Sequence, residues 1–148
     1  MADKNTSSIG FPNMFDIVRN RVNVYTGNRS IVNRTRLLIL TNPTELYNNP
    51  TLGVGPKRYL WQYNTKNVQA IIQDKIVAQL REHEPCVEAD KTQFHDGLLI
   101  TGSDDEENIS KRLNELKLTV GLQTVYSDQL DVNINLSEEQ ASMFGGEV

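Results

Sequence analysis

Residues 30–86 read SIVNRTRLLILTNPTELYNNPTLGVGPKRYLWQYNTKNVQAIIQDKIVAQLREHEPC, and this stretch decides the organisation of the chain. In its second half four aliphatic residues recur every fourth position, with Ile71 and Val77 beside them: Val68, Ile72, Ile76 and Leu80. This spacing predicts a long amphipathic helix over about residues 65–83. Asn64 is the predicted N-cap, and Pro85 ends the helix.

The first half of the stretch predicts a short helix followed by a loop. Ser30 is the expected N-cap, and a helix of two or three turns stops before Pro43, because a residue before proline avoids helical geometry. Residues 41–56 contain three prolines and two glycines and are predicted to form a long loop, which is often functional. Glu45 then lies in a tight turn and Glu84 at a helix end, where acids suit holding a shape or a partner.

The C-terminal part predicts a β-hairpin with one apolar face. Apolar and polar residues alternate in two runs on either side of residues 127–129, with the apolar positions Leu116, Leu118, Val120 and Leu122 in the first run and Leu130, Val132, Ile134 and Leu136 in the second. The outward residues of the last run are Asp131, Asn133 and Asn135, without Lys or Pro. The last strand is therefore a candidate sheet edge that could pair with a strand of another chain.

The remaining patterns predict smaller elements. Residues 22–25 favour a strand that ends in a turn at 26–28, residues 86–94 favour another strand, and a capping box at Ser103 and Glu106 favours a short helix over 104–114. Residues 1–10 and the tail from Ser137 are expected to lack structure. The predicted fold class is α+β, with the long amphipathic helix packed on a late antiparallel sheet that ends in the C-terminal hairpin. We expect a single domain over 1–148, with an ordered core of about 11–136, a flexible N-terminal arm and a flexible C-terminal tail.

Composition narrows the classes of partner. The chain has 148 residues, a net charge of −4 and a single cysteine, Cys86. An acidic chain is a poor general binder of nucleic acid, and no segment approaches a membrane span or a secretory signal, so we expect neither nucleic acid nor membrane as partner. Five arginines lie close together without an acid between Asp16 and Glu45: Arg19, Arg21, Arg29, Arg34 and Arg36. They form either a solvated basic face or a docking patch for an acidic protein surface.

The sequence offers weak candidates for chemistry. His83, Glu84, Cys86 and His95 lie close together, but their spacing matches no common zinc site, so we expect neither metal nor cofactor. Cys86 with His83 or His95 is a poor nucleophile pair, because a lone cysteine after proline is more often a packing residue. The aromatic residues Tyr59, Trp61 and Tyr63 favour a core element that leads into the long helix, with a partner-binding patch as the alternative.

Glu45 and Glu84 form the carboxylate pair to consider for glycoside hydrolysis, which uses two acids that flank the scissile bond. The competing interpretation is that both carboxylates bind backbone amides or pair with arginines. No convincing catalytic motif accompanies them, so the predicted protein is not an enzyme, and a small cell-wall glycan hydrolase is the alternative.

Residues 41–85 also resemble a known family. Thr41-Asn42-Pro43-Thr44-Glu45-Leu46, then Pro50-Thr51-Leu52-Gly53, then a long helix that ends at Glu84-Pro85, is similar to the baseplate wedge or tail-sheath initiator family of contractile-tailed phages and to type VI secretion baseplate components. The resemblance covers residues 11–136 and marks Glu45, Pro50, Gly53, Glu84 and Pro85 as motif or docking residues.

The resemblance implies a structural protein of the virion, in the tail baseplate, which is assembled in the host cytoplasm. Its partners would be the tail sheath protein, the tail tube and other baseplate wedge proteins, in a sixfold ring in the assembled particle. The strand with Leu130, Val132, Ile134 and Leu136 would then be offered to the first sheath ring. Some family members have been described as lysozymes, which keeps the hydrolase alternative open.

The chain departs from the family pattern at two positions where the pattern has arginine. Leu46 and Cys86 stand there instead, each close to one of the two glutamates. If those arginines pair with the glutamates in relatives, the nearest basic substitutes in sequence are Lys57, Arg58 and Arg81.

Overall fold

A computed structural model describes residues 6–59, 66–95 and 116–136. Its strands are β1 (Ser7–Ile9), β2 (Phe15–Asp16), β3 (Arg21–Val22), β4 (Val24–Thr26), β5 (Gln93–His95), β6 (Leu116–Gln123) and β7 (Gln129–Leu136). Its α-helices are α1 (Asn28–Leu40) and α2 (Lys66–His83), and short 3-10 turns cover Pro56–Tyr59 and Ala89–Lys91. This mixture of helices and antiparallel sheets confirms the predicted α+β class.

The C-terminal hairpin is the predicted one. β6 and β7 pair antiparallel from Leu116 opposite Leu136 to Gln123 opposite Gln129, and β5 pairs with the other side of β6. The connecting turn is closed by the Thr124 amide, which donates to the Asp128 carbonyl at 2.9 Å, and by the Asp128 amide, which donates to the Thr124 hydroxyl at 3.0 Å. In the described part of the chain the strand order is β5-β6-β7, so β7 lies at an edge.

The residues of β7 divide into two sets along this edge. Because hydrogen-bonded and non-hydrogen-bonded pairs alternate in an antiparallel ladder, the bond at the Thr124–Asp128 pair makes Leu130, Val132 and Ile134 the hydrogen-bonded partners of β6. The peptide groups of Asp131, Asn133 and Asn135 consequently point away from β6, toward the edge that no strand of the described residues covers, here called the open edge. Val132 and Ile134 are buried, whereas these three polar side chains are exposed, as the alternation predicts.

One hydrophobic core joins the helices and the sheet. α1 contributes Ile31, Leu38 and Ile39, α2 contributes Ile72, Ile76 and Leu80, and the sheet contributes Leu118, Val120, Leu122, Val132 and Ile134. Full burial of a side chain of this size contributes roughly 1.5–3 kcal/mol. Both helices thus bury one apolar face in the same core, and α1 is the helix in close contact with β7.

The long helix has nearly the predicted bounds, but the short helix begins earlier than predicted. Gly27, with φ +59°, precedes α1, and its carbonyl accepts the amides of Ser30 and Ile31. Ser30 is therefore not the N-cap; it lies inside the helix, fully buried. The predicted turn at 26–28 is the start of α1, because a glycine with positive φ can turn the chain directly from a strand into a helix.

Two other predictions need correction. The predicted strand over 86–94 is instead an isolated bridge between Val87 and Thr124, a 3-10 turn and the short strand β5. Residues 1–10 were expected to lack structure, yet β1 lies within them and pairs with β4. The predicted helix over 104–114, the Asn64 cap, Trp61, Tyr63 and the tail from Ser137 lie outside the described residues.

Residues 6–27 form a hairpin arm with two paired sections. β1 pairs with β4 near α1, and β2 pairs with β3 at the far end. Between the sections the Gly10 amide donates to the Asn23 carbonyl at 2.8 Å, and the Asn23 amide donates to the Met14 carbonyl at 2.9 Å. The buried side-chain amide of Asn33 on α1 holds the arm against this helix. Its nitrogen donates to the Ile9 carbonyl at 2.9 Å, and its oxygen accepts from the Phe11 backbone amide at 3.3 Å.

Candidate functional site

Glu84 lies one residue beyond α2 and is 3% exposed. Arg34 on α1 binds it with both arms of the guanidinium: Nη2 donates to Oε1 at 2.7 Å and Nε donates to Oε2 at 3.0 Å. A bidentate pair of this kind is among the stronger and more directional side-chain contacts. It fixes the end of α2 against the middle of α1.

The surroundings of Arg34 favour its charged form. Burial alone would lower the pKa of Arg34, but the hydrogen bonds and charge of Glu84, with a smaller contribution from Cys86, outweigh it and raise that pKa. The guanidinium that binds Glu84 thus comes from α1.

The expected substitutes do not pair with Glu84. Arg81 forms an ion pair with Asp90 instead. Arg34 lies 50 residues from Glu84 in sequence, so nothing in the local pattern singled it out from the other arginines of the basic stretch. The signal that could have found it is its spacing on the short helix, three residues after buried Ile31 and four before buried Leu38, which places Arg34 on the buried face.

The residues that follow Pro85 contact the turn of the C-terminal hairpin. The Cys86 carbonyl accepts the Val125 amide at 3.1 Å, and Val87 bridges to Thr124. From the other side, the Asn28 side-chain amide at the start of α1 donates to the Asp128 carboxylate at 3.1 Å. The β6–β7 turn is thus attached to both helices, and we call residues 84–87 with this turn the α2 corner.

Glu45 is held quite differently, within a turn of four residues. Its two carboxylate oxygens accept from the Asn42 backbone amide at 2.8 Å and from the Asn42 side-chain amide at 2.9 Å. The hydrogen bond from the Asn42 backbone is the main cause that lowers the pKa of Glu45, and the charge of Lys57 adds to it. Leu46, the residue after Glu45, is half exposed.

The loop that carries Glu45 is anchored at Gly53 and Pro50. The Gly53 amide donates to the Gln79 side chain on α2 at 2.7 Å, and the Pro50 carbonyl accepts the Thr44 amide at 2.9 Å. Gly53 has φ +106°, and a Cβ there would lie 2.2 Å from the Thr41 carbonyl oxygen. This backbone approach accounts for glycine at the position, and Gln79 was not singled out by the sequence.

Both carboxylates of the suggested catalytic pair are bound within the chain. Both oxygens of Glu84 bind Arg34, and both oxygens of Glu45 bind Asn42. A general acid must hold a proton for a leaving group, and a base must face the substrate. The structure supports the competing interpretation, that one carboxylate pairs with an arginine and the other binds a backbone amide.

The other candidate chemistry is not assembled in the described part of the chain. No group of three or more His, Cys, Asp or Glu side chains there could hold a metal ion. His83 contacts Glu82 at 3.8 Å, and the side chain of His95 lies outside the description. Tyr59 packs against the core and accepts from Lys75 at 2.7 Å, as the core interpretation predicts.

The basic stretch separates into different environments. Arg34 pairs with Glu84, and Arg29 stacks 4.0 Å from the centre of the Tyr25 ring. Arg19 and Arg21 lie near the carboxylate of Asp16, with contacts of 3.8 and 4.0 Å. Arg36 is exposed on α1. Part of the stretch is structural, and the part on the hairpin arm remains at the surface.

Among the described residues, neither helix combines the length and the apolar character that crossing a membrane requires.

No protein-family model matches the chain, and no curated protein is significantly similar to it in sequence. Among solved structures, it is similar to a chain of "Cryo-EM structure of the anti-feeding prophage (AFP) baseplate, 6-fold symmetrised". The TM-score is 0.53 and the identity 17%, over 95% of this chain and 94% of that chain. At this identity the likeness concerns the fold: nearly the whole chain shares the fold of a protein from that baseplate.

Proposed function

We propose that this chain is a structural component of the baseplate of a contractile tail or injection particle. The observation that carries the proposal is the shared fold with a chain of the anti-feeding prophage baseplate over nearly the full length of both chains. The resemblance of Glu45, Pro50, Gly53, Glu84 and Pro85 to the sheath-initiator family points the same way. In this role the chain joins other baseplate proteins in a particle of sixfold symmetry.

We infer further that β7 starts the tail sheath by accepting a strand of the first sheath ring. The peptide groups of Asp131, Asn133 and Asn135 point to the open edge, where an incoming strand would bond to them. Val132 and Ile134 hold the register from the buried face. The α2 corner supports this edge, because it attaches the hairpin turn to both helices.

Nothing in the described residues favours the hydrolase alternative. The two carboxylates that this alternative needs, those of Glu45 and Glu84, each bind a partner within the chain. We therefore propose a non-enzymatic role, in which Glu84 holds the α2 corner and Glu45 holds the loop.

The test compares two substitutions at one edge position. Asn133→Pro removes the amide that points to the open edge, whereas Asn133→Ala removes the side chain and keeps that amide. Both variants lose the contact of Asn133 with the Thr119 hydroxyl, so this loss cancels in the comparison. We expect Asn133→Pro to reduce the number of particles with full-length sheath by about tenfold, and Asn133→Ala to leave it near the wild-type number.

Sheath length in electron micrographs is the readout, and circular dichroism of both purified variants checks that they fold. Normal sheaths with Asn133→Pro would contradict strand pairing at this edge. A chain that never copurifies with contractile particles would contradict the baseplate role itself.

A further inference from the structure

The hairpin arm exposes an unusual share of the apolar surface. Of the eleven large hydrophobic side chains that are exposed in the described part of the chain, seven lie between residues 9 and 24. At the tip of the arm Ile17 and Val18 are 91% and 96% exposed. Single exposed apolar residues are ordinary, but a run of them on one small element marks an interaction surface.

The pairing of β1 with β4 places two of these side chains, Ile9 and Val24, on one face. Ile9 lies opposite Val24, and Ser8 lies opposite Tyr25. Ser8 accepts from Asn33 on α1 at 3.1 Å and Tyr25 stacks with Arg29, so the second pair faces the body of the protein. Because successive side chains of a strand alternate, Ile9 and Val24 face away from it.

A second exposed pair lies toward the tip. Val22 on β3 lies opposite Phe15 on β2, and both are exposed. We call Ile9, Phe15, Ile17, Val18, Val22 and Val24 the apolar stripe. All six have exposures of 44% or more. Four of them lie on paired strands, Ile17 and Val18 lie in the turn at the tip, and the base of the arm is tied to α1.

The stripe has a cationic border. Arg19 and Arg21 share the single carboxylate of Asp16, and their side chains are 67% and 61% exposed. Two guanidinium groups around one carboxylate leave a net positive charge beside the tip. A fitting partner therefore combines an apolar groove with carboxylates at its rim.

The charges also bear on which occupant fits. A second copy that packed arm against arm would bring two cationic borders together, which opposes the contact. Elsewhere in the described chain the exposed large hydrophobics lie on separate elements: Leu46 and Tyr47 on the loop, Ile71 on α2 and Val125 at the β6–β7 turn. A second copy thus offers no matching apolar surface in the described residues.

We propose that the apolar stripe docks into an apolar, acid-rimmed groove of a different protein in the assembled particle. The inference rests on the proposed function, in which the neighbours of the chain are proteins. Mainly β-branched residues, four of them on paired strands and two in the turn between β2 and β3, present an apolar surface that suits packing into a protein groove. The arm would then attach the chain to its neighbour by side chains, independently of the β7 edge.

The experiment measures how much of the chain is incorporated into contractile particles purified from cells that express it. The variant Ile17→Ser/Val18→Ser removes the apolar tip, and Arg19→Glu/Arg21→Glu reverses the border. Ile71→Ser is the control, since it removes an exposed apolar side chain elsewhere. We expect about tenfold lower occupancy for each arm variant and wild-type occupancy for the control.

A photo-crosslinking amino acid at position 17 identifies the occupant in the particle, with position 71 as the control. The proposal expects a crosslink from position 17 to a different protein, in a segment that combines apolar and acidic residues. Wild-type occupancy of the arm variants, a crosslink to a second copy, or no crosslink overturns it. A last outcome concerns membranes. If the purified chain binds phosphatidylglycerol–phosphatidylcholine vesicles and the Ile17→Ser/Val18→Ser variant does not, the stripe binds a membrane and the proposal is also overturned.

These results separate the two proposals. If the wild-type chain is present in the particles and the arm variants are incorporated equally well, only the docking of the stripe is refuted. Absence of the wild-type chain from the particles refutes the proposed function, and with it the docking of the stripe in that setting.

Discussion

The α2 corner and the loop of residues 41–56 each contain one of the two glutamates that the sequence singled out, yet the two regions are held by different contacts. At the corner, buried Glu84 depends on Arg34 from a distant part of the chain. In the loop, exposed Glu45 bonds to Asn42 three residues away, while Gly53 and Gln79 fasten the loop to α2. The comparison teaches that a motif glutamate can be a long-range clamp or a local turn residue, and that burial decides how much each contributes.

The largest effect on the free energy of unfolding should come from the backbone of the loop of residues 41–56. Gly53→Ala places a Cβ against the Thr41 carbonyl at a φ of +106°, so the loop must shift. We expect the free energy of unfolding to fall by about 3–5 kcal/mol in chemical denaturation. Gly27→Ala is the control, since φ there is +59° and no atom lies within 4 Å of the new Cβ; about 1–2 kcal/mol is expected. Equal losses in the two variants would show that the close approach at Gly53 is unimportant.

The next largest effect on the free energy of unfolding should come from the ion pair of Arg34 with Glu84 at the α2 corner. Arg34→Met keeps the aliphatic stem but leaves the buried Glu84 carboxylate without its partner. Because Arg34 is one-third exposed, we expect a loss of about 2–3 kcal/mol, below the cost of breaking a fully buried pair. The measurement is again the free energy of unfolding at neutral pH.

Arg81→Met is the matched control for Arg34→Met, because it breaks the exposed ion pair with Asp90. It should cost less than about 1 kcal/mol. Replacing Glu84 by Gln in the Arg34→Met background should restore part of the stability, since the unpaired charge is then removed. The account of the corner fails if Arg34→Met costs no more than Arg81→Met.

The smallest effect should come from the Glu45 carboxylate. Its pKa is lowered from 4.5, so its stabilisation is present above that value and is lost as the pH falls through the lower pKa of the folded state. Because Glu45 is exposed, Glu45→Gln should cost less than about 1 kcal/mol at pH 7. The difference between wild type and variant should vanish in acid, as followed by denaturation at a series of pH values. A difference that grew toward low pH would have the wrong sign.

The sequence predicted the elements whose signal is periodic. The four-residue recurrence located α2 almost to the residue, and the alternation located β6, β7 and the exposed face of β7, because burial of one face imposes these periods. The start of α1 was misplaced, because a positive φ at Gly27 started the helix before the better capping residue Ser30. The strand over 86–94 was overpredicted, since a 3-10 turn interrupts it.

The contacts of the residues that the sequence marked were not predicted. Glu45, Gly53 and Glu84 were marked in advance, and each has a definite structural contact. The partners Arg34 and Gln79 were missed, because they come from other elements and long-range pairing leaves no local pattern. The apolar face of the hairpin arm was missed for a similar reason, since its stripe depends on how four very short strands pair.

The β7 edge and the hairpin arm then differ in what they offer. The edge presents backbone groups below polar side chains, whereas the arm presents apolar side chains above a paired backbone. Strand addition needs the first arrangement and groove docking needs the second. One small chain can therefore contact two neighbours by separate means.

The central claim is that this chain joins baseplate to sheath by its β7 edge, and cryo-electron microscopy of particles from cells that express it tests this most directly. The account predicts density for this chain next to the first sheath ring, with residues 129–136 paired to a sheath strand through the peptide groups of Asp131, Asn133 and Asn135. A particle in which the chain is absent, or in which the β7 edge is free while the sheath is complete, would contradict it.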